Sequence, residues 1–183
     1  SHHCKISVAM RVSIRKYQQQ DVEPLYRAVI ESRKSLRPWM PWYREDYSLS
    51  ESIAWINYAI EAWNRKKEYA FAVVDTAERM MLGSVRLNHI DTLHRTAKLG
   101  YWVKTSCQNR GVATAASVAA LKFAFDHLAI NRVDIEIAED NEASRAVAIK
   151  LGAIYEGCFR NKLVLQGAPI AAHCYSLIPS DMK

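Results

Sequence analysis

One strand-turn-helix junction constrains this chain more than any other segment. The apolar run Leu99-Gly100-Tyr101-Trp102-Val103 reads as a strand and Ala115 to His127 as a helix; between them stands Gln108-Asn109-Arg110-Gly111-Val112-Ala113-Thr114. The N–H groups at a helix start point outward with a partial positive charge, and a glycine lets the main chain approach closely enough for them to reach phosphate oxygens. The seven residues therefore read as a pyrophosphate site. A plain strand-to-helix turn with a solvated Arg110 is the other reading, because one glycine is less than a lysine-bearing phosphate loop or a full G-x-G-x-x-G.

The remainder of the chain reads as alternating strand and helix. Val12 and Ile14 share one face of a strand over Arg11 to Arg15, and Val22, Leu25, Tyr26, Val29 and Ile30 recur at helical spacing between Gln20 and Arg33. Pro38 and Pro41 forbid continuous helix and leave an aromatic loop, after which Ser50 and Glu51 open a helix carrying Ile53, Ile56, Ile60 and Trp63. Three strands are expected over Tyr69 to Val74, Met81 to His89 and Ala97 to Val103. Past the Gly111 helix, Arg132 to Ala138 alternates, with Val133, Ile135 and Ile137 on one face and Asp134 and Glu136 on the other. A helix over Glu142 to Leu151, stopped by Gly152, and an antiparallel pair over Ile154 to Leu165 and Pro169 to Leu177 complete the order. Such an order demands a layered α/β (α+β) domain with a largely antiparallel, partly parallel sheet.

Composition narrows the class of partner. With 183 residues, half of them hydrophobic, the chain can bury one substantial core and reads as a single domain over 1–183, its first ten residues being a tag remnant (Ser1-His2-His3) or a disordered lead-in. A net charge of +6 suits an anionic ligand or acidic partner, but Lys and Arg are scattered, so direct nucleic-acid binding is not expected. Cys4, Cys107, Cys158 and Cys174 show no C-x-x-C spacing and no paired histidines, so neither metal nor a disulfide framework is expected, and reduced thiols place the protein in the cytoplasm. No apolar run approaches the roughly 18 residues of a membrane span.

The glycine junction resembles the acetyl-CoA signature of the GNAT N-acetyltransferases, Q/R-x-x-G-x-G/A, through Gln108, the flanking Arg110, Gly111 and Ala113. The segment from Asp140 through Asn141 and Ser144 to Leu151-Gly152-Ala153 is similar to that family's N-x-x-S helix and turn. Glu156-Gly157, a hairpin around Gln166-Gly167, and Leu36-Arg37-Pro38-Trp39-Met40-Pro41-Trp42 extend the likeness to the RimJ/RimL branch, which acetylates N-termini of ribosomal proteins. The resemblance implies a GNAT fold: a mixed, mostly antiparallel twisted sheet with helices on both faces and a splayed parallel pair, here Ala97 to Val103 and Arg132 to Ala138. It implies acetyl-CoA as cosubstrate, with Tyr101, Trp102 and Val103 offering the free strand edge to the pantetheine amides. Gln108, Asn109, Arg110, Gly111, Val112, Ala113 and Thr114 would hold the phosphates, and Asn141 would orient pantetheine or cap its helix. A ribosomal-protein N-terminus is the implied acceptor and a homodimer the implied assembly; a small amine such as an aminoglycoside, polyamine or amino acid, or a non-catalytic acyl-CoA-binding module, are the alternatives.

The chemistry so implied needs a held thioester, loss of a proton from the amine, and a donor for the departing sulfur. Ser144 matches the branch's general acid; a serine near a helix start is equally a cap or a solvated position. Leu163 falls where the branch places its glutamate base. His89, Asp91 or His173, a water chain, or an acceptor already neutral could serve instead, and an α-amine near pKa 7.7–8.0 needs far less help than a lysine amine. Trp39, Trp42 and Tyr43 line either an acceptor groove or a packing surface, whereas Trp55, Trp63 and Trp102 on periodic segments are expected in the core.

Overall fold

A computed structural model describes residues 10–77 and 79–182. Cys4 and the expected tag at Ser1-His2-His3 lie outside the described residues. Among those described, the strands are β1 (Val12–Lys16), β2 (Tyr69–Asp75), β3 (Met80–Asp91), β4 (Thr96–Val103), β5 (Arg132–Ala138), β6 (Ile154–Leu165) and β7 (Ala168–Leu177). The helices are α1 (Val22–Glu31), the single turn α2 (Arg33–Leu36), α3 (Leu49–Asn64), α4 (Val112–His127) and α5 (Glu142–Lys150).

The strands form one sheet in the order β1-β2-β3-β4-β5-β7-β6, antiparallel except for β4 with β5. That parallel contact spans only Thr96–Lys98 against Arg132–Asp134. Beyond it β4 stays paired to β3 as far as Val103, and β5 to β7 as far as Ala138, so the sheet opens into a V along its midline.

Alternation along the strands sends side chains into two helical layers. Tyr69, Phe71 and Val73 of β2 pack in the layer of α4 with Leu121 and Ala124, whereas Ala70 and Ala72 face the layer of α1 and α3 with Val29 and Ile56. Trp63, at the end of α3, reaches the α4 layer instead, its ring 5.0 Å from both Tyr69 and Phe71. Helices on both faces of a mixed sheet match the expected class.

The boundaries depart from expectation at two informative places. The helix expected from Ala115 begins at Val112, because Gly111, left-handed at φ +76°, ends the loop and serves as its N-cap. The helix expected over Gln20 to Arg33 breaks at Ser32, which is fully buried and whose Oγ accepts the Thr105 N–H at 3.0 Å. Glu31 beside it accepts from the Ser106 N–H at 3.1 Å and the Ser106 hydroxyl at 2.9 Å, which fastens the end of α1 to the segment leading into the glycine loop.

Candidate active site

The V between β4 and β5 is the floor of a cleft of about 740 Å³ that passes from one face of the sheet to the other. Register assigns its two sides. Leu99, Tyr101 and Val103 lean toward the α4 layer, and Trp102 toward the α1–α3 layer together with Trp55.

On the α4 side, Asn109 (φ +59°) and Gly111 (φ +76°) are both left-handed, and they flank Arg110. The first backbone bond of the helix runs from Ala115 N–H to Gly111 carbonyl, which leaves the Val112, Ala113 and Thr114 N–H groups ahead of the ladder. Among the described residues no side chain caps this helix start. Left-handed turns ahead of uncapped donors form a concavity suited to an anion. The Gln108 side chain is engaged within the loop, donating from Nε2 to the Val103 carbonyl at 3.1 Å, so this residue shapes the loop.

Asn141 and Ser144 stand farther along the same side of the cleft. Asn141 caps α5, its Oδ1 accepting from the Ser144 N–H at 3.2 Å, which is the capping alternative read from sequence. The Ser144 hydroxyl lies 3.1 Å from the Tyr101 hydroxyl, and Tyr101 also donates to the Ser144 carbonyl at 2.9 Å. Burial pushes the Tyr101 phenol up to about 12, so it stays a proton donor at neutral pH. This hydroxyl pair has no signature in the sequence, since 43 residues separate its members.

The opposite side carries charge and aromatic surface. Glu136 of β5 reaches the cleft with its side chain 15% exposed, ion-paired to Lys98 Nζ at 3.0 Å and facing Lys162 Nζ at 3.8 Å. Arg86 lies over the Trp55 ring at 5.3 Å and faces Glu68 at 3.8 Å. With its amide turned so that both ends are satisfied, Asn88 accepts from Arg86 Nη2 at 2.9 Å and donates to His89 Nδ1 at 3.2 Å. Trp39 and Trp42 of the proline loop border this side, and Trp42 stands 6.1 Å from Trp102. The tip of the β6–β7 hairpin is tied to the start of the proline loop, Gln166 Nε2 donating to the Arg37 carbonyl at 3.0 Å.

Several expectations change on this geometry. Trp55 of α3 and Trp102 of β4 border the cleft as well as packing in the core, because the cleft opens between that helical layer and the face of β4 that carries Lys98 and Trp102. Trp63 is in the core. Leu163 lines the cleft where a carboxylate was sought, but its side chain takes no proton. Of the substitutes, His89 alone borders the cleft: His173 meets the Tyr155 hydroxyl at 3.0 Å elsewhere, and Asp91 caps the β3–β4 turn by accepting from the His94 N–H at 2.9 Å. Glu136, assigned by alternation only to the polar face of its strand, is the carboxylate that sequence reasoning missed. Among the described residues, His, Cys, Asp and Glu side chains form no group of three or more with metal-binding geometry, and no helix is long and apolar enough to cross a membrane.

Comparison with known proteins agrees with this geometry. Residues 11–154 match the family model described as the acetyltransferase (GNAT) domain. YdaF of Bacillus subtilis, provisionally named a ribosomal N-acetyltransferase, is 29% identical, with 98% of this chain and 97% of that one covered. The ribosomal-protein-serine acetyltransferase of Escherichia coli is 25% identical over 94% of this chain and 96% of its own. A solved RimL, a ribosomal L7/L12 α-N-protein acetyltransferase in complex with coenzyme A, shares the fold with a TM-score of 0.85 at 24% identity, covering 94% of this chain and 97% of that one. An uncapped helix start behind a left-handed glycine, a sheet that parts along one parallel pair, and a family model spanning most of the length lead to one assignment: the chain belongs to the GNAT acetyltransferases and is an N-acetyltransferase that uses acetyl-CoA.

Proposed function

We propose that the chain acetylates the N-terminal amine of a ribosomal protein. The carrying observation is the division of the cleft: phosphate-type donors and paired hydroxyls lie on one side of the sheet, and a carboxylate, cations and tryptophans on the other, so that two substrates meet through the gap between β4 and β5. Names of relatives matched over nearly the whole chain support the ribosomal acceptor.

In this reading the N–H groups of residues 112–114, with Asn109 and Arg110, hold the diphosphate, and the pantetheine amides pair with Tyr101 and the Val103 N–H on the side of β4 away from β3; register turns the Trp102 main chain to β3, and Gln108 holds the Val103 carbonyl. The bound thioester supplies the acetyl group. Glu136 receives the acceptor's ammonium and takes its proton directly or through a water, doing from β5 what Leu163 of β6 cannot. Ser144 donates toward the departing sulfur, and Tyr101 turns its own proton to the Ser144 oxygen as that happens. Asn141 sets the helix that carries Ser144. Exposed apolar side chains on the open edge strand β6, Ile154, Tyr155 and Phe159, support a homodimer, and the free thiols of Cys107, Cys158 and Cys174 support a cytoplasmic setting.

The test is release of CoA from acetyl-CoA in the presence of N-terminal ribosomal peptides, lysine-bearing peptides with blocked N-termini, and small amines. N-terminal peptides should give the highest kcat/KM. A polyamine or blocked lysine peptide outrunning all of them would overturn the assignment.

A further inference from the structure

Glu136 is held between Lys98 and Lys162, and the two contacts are unequal. Lys98 lies on the neighbouring strand β4, 31% exposed and at 3.0 Å; Lys162 reaches from β6, two strands away, 43% exposed and at 3.8 Å. Lys162 is aimed there by a distortion: the β6–β7 register shifts between Phe159 and Leu163, and Asn161 inside the shift is left-handed at φ +49°. Such a bulge redirects side chains at the rim of a site.

The charges bordering the cleft make the consequence definite. Arg86, Lys98 and Lys162 stand there against Glu51 and Glu136, with His89 beside them. An amine that arrives as an ammonium and takes Glu136 as its partner displaces the looser of the two lysines. Exchanging one cation for another on a single carboxylate gains little, and it leaves Lys162 without a counter-charge in a cleft that has just acquired another positive group. An acceptor that carries its own anion close to the amine removes that penalty.

We propose that Lys162 selects acceptors bearing a carboxylate on the residue next to the reacting amine, which deepens the reading of Glu136 given above and rests on it. An acidic side chain at the second position of a peptide reaches Lys162, while Arg86 and Lys98 keep further cations out. Polyamines, which would bring second and third ammoniums against those same residues, are disfavoured. A free amino acid carries the same chemistry in its α-carboxylate, four bonds nearer the amine.

The experiment measures initial rates with acetyl-CoA and peptides that differ only at position two, Ser-Asp against Ser-Asn and Ser-Lys, alongside free serine and spermidine. Wild type should prefer Ser-Asp over Ser-Asn by about tenfold in kcat/KM, most of it in KM. Lys162→Met should erase that ratio, and Lys162→Glu should reverse it in favour of Ser-Lys; Lys162 is exposed enough that both variants should fold, which a melting curve checks. If free serine outperforms Ser-Asp, the anion selected is the α-carboxylate and the peptide form of the proposal is wrong. Equal rates on Ser-Asp and Ser-Asn in wild type, a preference surviving in both variants, or spermidine as the best acceptor would each overturn it. Glu136→Gln separates the two readings: it should lower kcat on every peptide alike. Wild-type kcat in that variant with the Ser-Asp preference intact would refute the role of Glu136 while the selection by Lys162 stood.

Discussion

Replacing Gly111 by alanine and by glutamate separates backbone strain from charge at the diphosphate site. Among the described residues nothing lies within 4 Å of the position a Cβ would occupy, so the Cβ of either residue has room, but both must adopt φ +76°. A left-handed conformation costs an L-residue about 1–2 kcal/mol. For a chain of this size that lowers Tm by roughly 2–8 °C, equally in the two variants. Glutamate adds an anion where three amide donors await one. Two unit charges in near contact repel by about 4 kcal/mol at an effective dielectric near 20, and halving this for an exposed site leaves about 2 kcal/mol. Calorimetric titration with CoA should therefore give a Kd for Gly111→Glu about 30-fold weaker than for Gly111→Ala at low salt, with the gap narrowing as salt is added. Matching Kd values in two variants of matching Tm would refute the claim that amides beyond position 111 grip the diphosphate.

Four further outcomes follow from the same geometry. Ser144→Ala should lower kcat by about 100-fold with CoA affinity nearly intact, the scale of a lost general acid; steady-state rates at saturating acetyl-CoA check it, and near-normal turnover removes Ser144 from the chemistry. Tyr101→Phe should cost about tenfold in kcat, and adding it to Ser144→Ala should cost little more, because the two hydroxyls act as one unit 3.1 Å apart. Gly83→Ala would set a Cβ 2.1 Å from the Trp102 carbonyl oxygen, so β3 and β4 must part; a loss of about 1–3 kcal/mol in denaturant titration and a raised acceptor KM are expected, since Trp102 borders the cleft. Burial raises the phenols of Tyr17 and Tyr101 to about 12, so the folded state keeps protons that the unfolded chain loses above pH 10. Their contribution is whole below pH 10 and disappears as pH climbs through 12, about 1 kcal/mol each at pH 11, and guanidinium melts at pH 8 and 11 should show stability falling with pH.

Alternation and turn chemistry carried most of the architecture. Val133, Ile135 and Ile137 recur at period two and form β5, Gly152 stops α5, and Gly111 stands at the mouth of α4. The uncapped helix start proposed to hold the diphosphate was legible because it is local: consecutive residues supply its N–H groups. The proposed acceptor side was not, because Glu136, Lys98 and Lys162 come from three strands, and only the sheet order brings them to one place. Alternation puts Glu136 opposite Val133 without revealing whether that face meets water or a cleft. The same limit hid that Trp102, besides packing on the core as expected, borders the cleft with Lys98 and Gly100 on the same face of β4. The Tyr101–Ser144 contact needed the V itself, since it joins β4 to α5 where the strands have already separated.

The brevity of the parallel contact, three residue pairs between Thr96–Lys98 and Arg132–Asp134, has a consequence for the protein's persistence. At its midline the sheet is stitched by less backbone pairing than anywhere else between adjacent central strands, and in the proposed mode of binding the acetyl donor supplies the missing stitches. Each tenfold rise of donor above its dissociation constant adds about 1.4 kcal/mol to the stability of the folded state. A cell short of acetyl groups thus holds a looser enzyme as well as an idle one, and the lifetime of this chain should follow the supply of the molecule it consumes.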